Sequence, residues 1–395
     1  MHRLCSNIAG RCLSRQQGYN PMQLDRRLVH SHFCMDSAIL SRTGAFFRCC
    51  DFTSCTYCVV VGLQNGEVRV YDSKSGNEYI SGQCHKSSVN DVQWSKTGDF
   101  LLTSCSSFPF SKMWYIERNE FFLRLEFKDE EYLKFSNLNE DKILGTGEEM
   151  ATMYDTDTGK IISTYRGVVP KGFSRMRATF SPCDELVLSE GILWDVRSGQ
   201  MFHNFKSLYP ILSGVFHPNG WEILINGNVC DMRTLHVLKT VPELHQSTVT
   251  FSPQNIIYGV TCEVEPDSGG STGQSFDKVT TFTTLDSSDY SKIAEIDVKR
   301  KIYHLSVNKY GNEIALVENL GNDHWDFESV VRIYTVGKPK LIAEDEEGYD
   351  SDTTDSSTTS ATETDGKIDF YLNKILLQTE IIEAMNYSQK SILGI

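Results

Sequence analysis

The sequence predicts an all-β fold, a propeller of seven blades, on the strength of three observations. First, an apolar strand that closes in an aromatic or branched residue, a short polar turn and a second apolar strand recur seven times. Second, a strand ending in an aromatic residue, or a substitute for one, recurs in step with these units. Third, no helical periodicity runs through the repeats. All-strand units of about 40 residues are typical of a propeller, which hides most strand edges by closing into a ring.

The two markers give the same number of units. The closing residues of the first marker lie 35 to 56 residues apart. They are Phe52, Trp94, Phe135, Phe180, Phe216, Phe251 and Val307. The clear copies of the second marker close at Tyr71, Trp114, Tyr154, Trp194 and Cys230. Two degenerate copies fall near Phe282 and at Tyr334.

Composition changes along the chain predict how it is divided. The segment 344–365 holds nine acidic residues and no basic one, a composition typical of disorder. The residues after it carry apolar side chains at helical spacing. We therefore expect an irregular arm at 1–24, the propeller at 25–342, a disordered acidic tail at 343–367 and a short amphipathic helix at 368–395.

The propeller needs a strand from the start of the chain to close its ring. Arg27–Ile39 alternates apolar and polar residues, as a half-buried strand does. We expect it to complete the last blade beside Val330–Val336.

Charge and cysteine content restrict the class of function. The net charge is −14, which argues against direct nucleic-acid binding because phosphates require clustered Lys and Arg. The twelve cysteines lie mostly in apolar strands, and residues 1–20 do not resemble a secretory signal, so we expect a reducing compartment. No apolar run approaches a membrane span of about 18 residues. A soluble intracellular protein is expected.

Two adjacent repeats carry an arginine at the same turn position. One strand ends in Trp194-Asp195-Val196-Arg197, and the corresponding strand of the next repeat ends in Cys230-Asp231-Met232-Arg233. Each arginine follows the point where an apolar strand meets a polar turn, so it falls outside the packed sheet. Two guanidinium groups on one face suit docking onto a partner.

A cysteine-rich stretch allows two interpretations. Cys55 and Cys58 have the C-x2-C spacing of zinc ligands, and Cys49 and Cys50 lie close by. Cys49 and Cys50 are adjacent, however, and adjacent strand residues point to opposite faces of a sheet. Core or hairpin cysteines, without a metal, are the favoured interpretation.

One histidine has the position of a structural residue. His85 lies where propeller repeats of this type often carry a histidine, and such a side chain usually hydrogen-bonds within its blade. We expect a structural role for His85, with Asp91 as its relay.

A basic run lies between the third and fourth blades. It contains Arg166, Lys171, Arg175 and Arg177, with no acidic residue between Arg166 and Phe180. The connection between blades opens on the face opposite the Asp-x-Arg turns. On an acidic protein this run is a candidate site for an acidic substrate segment, and a solvated loop is the alternative.

Catalytic motifs are missing from the sequence. There is no phosphate-binding loop, no nucleophile elbow, no H-E-x-x-H and no kinase H-R-D. The histidines and carboxylates are scattered without catalytic spacing. We therefore expect a binding protein rather than an enzyme, with no cofactor and no metal.

Particular segments resemble a known family. The repeats resemble WD repeats in general, and the likeness is much closer at Ala178–Gln200, Ser213–Asn226, Asp231–Pro242 and Ile296–Ile302. These segments resemble the C-terminal propeller of the Vpr-binding protein family, the WD-repeat substrate receptors of the cullin-4 RING ubiquitin ligase. The resemblance covers residues 15–345, and the acidic tail resembles a short form of that family's tail.

The resemblance implies a function and its residues. Members of the family bind the adaptor damaged-DNA-binding protein 1, and through it cullin-4, by W-D-x-R motifs in two adjacent blades. By this resemblance Trp194, Asp195 and Arg197 form the first motif, and Asp231 and Arg233 form the second, with Cys230 replacing its tryptophan.

The expected function is therefore to present a target protein for ubiquitylation, in the nucleus and also in the cytoplasm. The alternative is a WD-repeat scaffold outside the ligase that binds basic nuclear or chromatin proteins, with the acidic tail as its binding element.

Overall fold

The computed structural model describes 26–41, 44–105, 107, 110–147, 150–167, 177–205, 214–261, 280–320 and 328–337. The expected arm, acidic tail and C-terminal helix, together with Lys171 and Arg175 of the basic run, lie outside these residues. Within them, no helix is long and apolar enough to span a membrane.

Seven four-stranded antiparallel sheets make up the described fold. Each of blades 1 to 6 is built from four consecutive strands, and blade 7 takes its fourth strand from the beginning of the chain. The predicted all-β, seven-bladed propeller is confirmed.

The strands have the following bounds. β1, Phe33–Leu40, precedes blade 1 and belongs to blade 7. Blade 1 comprises β2 Phe47–Phe52, β3 Cys58–Leu63, β4 Glu67–Asp72 and β5 Glu78–Gln83. Blade 2 comprises β6 Val89–Trp94, β7 Phe100–Cys105, β8 Ser111–Glu117 and β9 Glu120–Phe127. Blade 3 comprises β10 Tyr132–Phe135, β11 Lys142–Thr146, β12 Ala151–Asp155 and β13 Ile161–Tyr165. Blades 4 and 5 comprise β14 Thr179–Phe180, β15 Leu186–Ser189, β16 Ile192–Asp195 and β17 Met201–Asn204; and β18 Gly214–Phe216, β19 Glu222–Ile225, β20 Asn228–Asp231 and β21 Val237–Thr240. Blades 6 and 7 comprise β22 Ser247–Ser252, β23 Ile256–Thr261, β24 Thr281–Asp286 and β25 Lys292–Asp297; and β26 Lys301–Val307, β27 Glu313–Leu320 and β28 Glu328–Val336. A short 3-10 helix, Pro242–Leu244, joins blade 5 to blade 6.

The first strand of each blade lies innermost in the ring. β2, for example, contacts β6 of the next blade and β26 of the previous one. The residues of the first sequence marker close these strands, with Phe251 one residue before the end of β22. The marker therefore identified the innermost strand of every blade.

The third and outermost strands pair with a shift in register at the same place in every blade. The third-strand residues at this shift are Tyr71, Trp114, Tyr154, Trp194, Cys230, Leu285 and Tyr334. Six of them are residues of the second sequence marker. In blade 6 the register selects Leu285, three residues beyond the predicted Phe282, which is fully buried in the core between blades 6 and 7.

The hydrophobic core is divided among the gaps between neighbouring blades. Seven clusters of buried side chains are present among the described residues, and each joins two adjacent blades. Cys49 packs in the cluster between blades 1 and 2, while Cys50 packs in the cluster between blades 7 and 1. The predicted opposite orientation of these two cysteines is confirmed. Among the described residues, no group of His, Cys, Asp or Glu side chains is arranged to hold a metal ion.

The structural histidine has a partner that the sequence did not indicate. His85 Nε2 lies 2.7 Å from Thr103 Oγ1, and Trp114 Nε1 donates to the same oxygen at 2.8 Å. The structural role of His85 within the blade is confirmed. Asp91 takes no part in this network, because its carboxylate pairs with an arginine of another blade; the predicted relay was wrong.

Ring closure differs from the prediction in one respect. β1 pairs with β28 as expected, but the strand begins at Phe33, and 26–29 form one helical turn. The polar residues of this turn have partners on blade 6. His30 is fully buried, with Nδ1 3.0 Å from the Tyr258 hydroxyl and Nε2 2.7 Å from Gln254 Oε1. These contacts turn the backbone out of the strand.

An ion pair fixes the same turn to the end of β24. Arg26 donates to both carboxylate oxygens of Asp286, at 2.6 and 2.7 Å, and the Asp286 side chain is fully buried. Burying a carboxylate requires such a partner, because desolvation opposes the charge. Arg27 donates to the Ser291 hydroxyl at 2.6 Å and lies 3.6 Å from the carboxylate of the exposed Asp289. The start of the propeller is thus held to blade 6 as well as to blade 7.

Replacing Arg26 by Ala should lower the free energy of unfolding by roughly 3 kcal/mol, because the buried Asp286 carboxylate keeps its hydrogen bonds from Ser288 but loses the positive charge that balances it. The control, Arg27→Ala, should cost about 1 kcal/mol, because it removes a hydrogen bond to Ser291 and an ion pair with the exposed Asp289 but leaves no buried charge unpaired. Urea unfolding of both variants measures the difference. Equal losses would show that the buried pair does not hold the turn.

Candidate functional site

The antiparallel strand order decides which turns share a face of the ring. In each of blades 1 to 6 the turn between the first two strands and the turn between the last two strands lie at the same end. We call the surface that these turns form the turn face, and the other end the opposite face. A backbone hydrogen bond joins the two turns within a blade: Val196 N–H donates to Glu185 O at 2.9 Å, and Met232 N–H donates to Trp221 O at 2.8 Å. The arginine that follows each of these donors is therefore held in a fixed place on the turn face.

The turn of blade 4 is closed by its aspartate. Asp195 Oδ1 accepts hydrogen bonds from the Ser198 N–H at 2.7 Å and from the Ser198 hydroxyl at 3.1 Å. The Gly199 N–H donates to Asp195 O at 2.9 Å, and Gly199 has φ +67°, which glycine adopts without a steric cost. The bonds from Ser198 lower the pKa of Asp195. A charged, rigid turn results.

Arg197 projects from this turn into solvent. Its side chain is exposed, and its guanidinium makes no hydrogen bond or salt bridge within the part of the chain that the structure describes. Since Ser198 satisfies the aspartate, the guanidinium fork remains open to a partner.

The turn of blade 5 holds its arginine more tightly. Asp231 Oδ1 accepts from the Arg233 backbone N–H at 2.7 Å, and its Oδ2 lies 3.2 Å from an Arg233 guanidinium nitrogen. The side-chain bond to Arg233 is the largest cause that lowers the pKa of Asp231. The Arg233 side chain is nevertheless 71% exposed. It is held in place at the surface without being buried.

An exposed tryptophan completes this arrangement. The Arg233 guanidinium carbon lies 5.7 Å from the ring centre of Trp221, in the range of a cation–π contact, and Trp221 is 59% exposed. The corresponding residue of blade 4 is Glu185. Sequence analysis missed Trp221 as a site residue. A large aromatic residue inside a Pro-Asn-Gly turn, where no core position is expected, was the available signal.

The two motifs differ at their first residue, and the difference is one of packing. Trp194 packs against the cluster between blades 3 and 4, with its ring 5.7 Å from that of Tyr165. Cys230 is fully buried in the cluster between blades 4 and 5. Replacing tryptophan by cysteine thus changes the core side of the strand, and Asp231 still closes the turn beyond it.

On the opposite face, two residues of the basic run are described. Arg166 is exposed at the end of blade 3. Arg177 lies 3.2 Å from Asp91 of blade 2 and 4.5 Å from the ring centre of Tyr132 of blade 3. Its side chain remains 42% exposed. The structure thus places Arg177 at the mouth of the central channel, already paired, and does not bring it into contact with Arg166.

The Asp91 carboxylate also lies close to a histidine at the channel mouth. It lies 3.9 Å from His304 Nε2 of blade 7. Burial lowers the pKa of His304 to about 4, so this histidine is neutral near pH 7. Arg177 is then the charged partner of Asp91, and the pair has little net charge to offer a ligand.

Comparison with known proteins places the chain among WD-repeat relatives. No protein-family model matches it. It is 38% identical over 387 residues to Protein mahjong of Drosophila melanogaster, covering 97% of this chain and 24% of that protein. It is 31% identical over 335 residues to DDB1- and CUL4-associated factor homolog 1 of Caenorhabditis elegans, covering 79% of this chain and 19% of that protein. The protein of the same name from Arabidopsis thaliana is 28% identical over 355 residues, covering 86% of this chain and 19% of its own length.

The chain therefore spans about a quarter or less of the length of these relatives. The match to Protein mahjong runs over nearly the whole of this chain, and the seven-bladed propeller described above is the fold expected of it. The chain belongs to the Vpr-binding protein family of WD-repeat proteins.

Proposed function

We propose that this chain is the propeller of a substrate receptor of a cullin-4 RING ubiquitin ligase. Its turn face docks onto the adaptor damaged-DNA-binding protein 1, and its opposite face holds a target protein. The observation that carries the proposal is the pair of exposed arginines, Arg197 and Arg233, at the same turn position of adjacent blades. The receptor acts by proximity, because it raises the local concentration of the target near the ubiquitin-conjugating enzyme.

The turn face has the composition of a binding hot spot. Arginine and tryptophan are enriched among the residues that dominate interface energies. Arg233 is held by Asp231 and Trp221, so it would lose little conformational freedom on binding. Arg197 has an unpaired guanidinium among the described residues and would form its bonds with the partner. The two arginines therefore support docking in different ways.

The names of two relatives support the same partner. The proteins of Caenorhabditis elegans and Arabidopsis thaliana are both named DDB1- and CUL4-associated factor homolog 1. Their match to this chain includes the propeller, so the association that they are named for is proposed here for the propeller. A nuclear location is part of the same proposal.

We propose that the opposite face binds the target protein, but with a smaller role for Arg177 than the sequence suggested. Arg177 is neutralised by Asp91, so it would shape the channel mouth rather than act as a free cation. The proposed region for an acidic target segment is the basic run as a whole, and its residues Lys171 and Arg175 lie outside the described ranges.

Substituting both arginines tests the proposal directly. Arg197→Ala and Arg233→Ala should each weaken binding of purified adaptor by roughly tenfold, and the double variant by about a hundredfold or more, because each removes a central guanidinium. Titration of the adaptor with the full chain and the three variants gives the dissociation constants.

Arg118→Ala is the matched control. Arg118 is an 89% exposed arginine in the corresponding turn of blade 2, next to Glu117, and its loss should leave the affinity unchanged. Equal binding by all the variants would show that Arg197 and Arg233 are solvated turn residues. A wild-type chain that does not bind the adaptor would favour the scaffold outside the ligase.

Trp221 provides a second test at the same surface. Trp221→Ala removes the ring beneath Arg233 and an exposed apolar contact, so adaptor affinity should fall by roughly tenfold. Phe122→Ala, which removes an exposed aromatic ring from the outer strand of blade 2, should have no effect. An unchanged affinity for Trp221→Ala, measured beside a weakened Arg233→Ala, would place the tryptophan outside the interface.

A further inference from the structure

Two thiols share the turn that joins β2 to β3 in blade 1. Cys55 is exposed and Cys58 is half-buried. Thr53 Oγ1 lies 3.0 Å from the Cys55 sulfur and donates to Cys58 O at 3.1 Å, so one hydroxyl contacts both cysteines. Two cysteines of C-x-x-C spacing that share a hydroxyl neighbour, one of them open to solvent, have the spacing of a reactive dithiol.

The backbone of this turn holds the two cysteines together. The Thr53 N–H donates to Cys58 O and the Thr56 N–H donates to Thr53 O, both at 3.0 Å. Thr56 has φ +64°, a left-handed conformation that a β-branched residue rarely adopts. The turn is therefore closed on itself, and the two side chains stay within reach of each other.

Interaction between the two thiols gives them different roles. It lowers the pKa of Cys55 to about 5 and raises the pKa of Cys58. Near neutral pH, Cys55 is therefore the thiolate and Cys58 keeps its proton. The exposed member is thus the nucleophile, and the half-buried member is placed to react with it afterwards.

Blade 4 contains a natural reference for this site. Cys183 is exposed at the corresponding position of its turn, with Sγ 3.5 Å from Ser181 Oγ. The Ser181 N–H donates to Leu186 O at 2.8 Å, as Thr53 does to Cys58 O. Leu186 therefore stands where blade 1 has its second thiol. The two turns share an exposed cysteine, but Cys183 has no second thiol beside it and its sulfur lies 3.6 Å from the Glu185 carboxylate.

We propose that Cys55 and Cys58 form a redox-active dithiol site whose substrate class is hydroperoxides. The Cys55 thiolate attacks a peroxide oxygen, so that an S–O bond forms, the O–O bond breaks and hydroxide or alkoxide leaves. The Cys58 sulfur then attacks the Cys55 sulfenic acid, giving the disulfide and water. Two thiols are oxidised by two electrons in total, and one hydroperoxide is reduced to water and an alcohol, or to two waters if it is hydrogen peroxide. Disulfides of proteins in reducing compartments are usually transient and redox-sensing.

The site lies on the turn face, where its oxidation alters the surface. Tyr57, between the two cysteines, is 63% exposed, and its carbonyl accepts the Ser73 N–H at 2.8 Å. A disulfide would tighten the turn that presents this ring. The chemistry of the dithiol does not depend on adaptor docking, and the two proposals can fail separately.

Alkylation rates test the reactivity of the thiolate. At about pH 6, iodoacetamide should modify Cys55 roughly tenfold faster than Cys183 in the same folded chain, since the larger thiolate fraction outweighs the lower nucleophilicity. Peptide mass spectrometry with fragmentation measures each rate. The advantage of Cys55 should disappear in Cys58→Ser. Equal rates at Cys55 and Cys183 in the wild type would overturn the proposal.

Peroxide treatment tests the second step. After a small excess of hydrogen peroxide, the wild-type peptide should lose two hydrogen atoms through a Cys55–Cys58 bond that dithiothreitol reverses. Cys58→Ser should instead retain a sulfenic acid at Cys55 that dimedone traps, and Cys183→Ser should behave as the wild type. In the wild type, dimedone labelling of Cys183 to the same extent as Cys55, with no disulfide formed, would contradict the assignment.

Discussion

The shift in register between the third and outermost strands is the constraint on which the turn face depends. It occurs at one position in all seven blades, and in five of them an aspartate follows it. The backbone oxygen of each aspartate accepts the N–H four residues on, from Gly76, Gly159, Gly199, Leu235 and Tyr290. A bulge strengthens the local twist and re-aims the residues that follow it. Everything that the turns present to a partner is therefore oriented by the sheet beneath them.

The same aspartate has different partners in different blades, and this decides which cations are available. In blade 4 Ser198 satisfies Asp195, which leaves Arg197 open. In blade 5 the carboxylate of Asp231 takes its own arginine, Arg233. In blade 6 the aspartate is buried and takes Arg26 from the beginning of the chain. One structural element thus presents an arginine in two adjacent blades and takes part in ring closure in the next.

Sequence patterns predicted what is local or repeated. The innermost strands, the turn arginines and the opposite orientation of Cys49 and Cys50 all follow from strand alternation and repeat spacing. Contacts between distant blades were not predictable in this way. Asp91 pairs with Arg177, 86 residues away, and Arg26 pairs with Asp286, 260 residues away. No local period encodes these pairings, because ring closure alone brings the partners together. The copy in blade 6 was misplaced because Leu285 lacks the aromatic ring that marks the other blades.

The second motif has cysteine where the first has tryptophan, and this difference separates the core position of the motif from its turn positions. Cys230 lies in the core, fully buried among residues of blades 4 and 5, whereas Asp231 and Arg233 lie beyond the register shift. Met232 and Leu235 pack against the same cluster. The turn is held instead by the Met232–Trp221 backbone hydrogen bond and by the aspartate. The residue that packs in the core is therefore not the residue that the turn exposes, so position 230 can vary while Arg233 keeps its position.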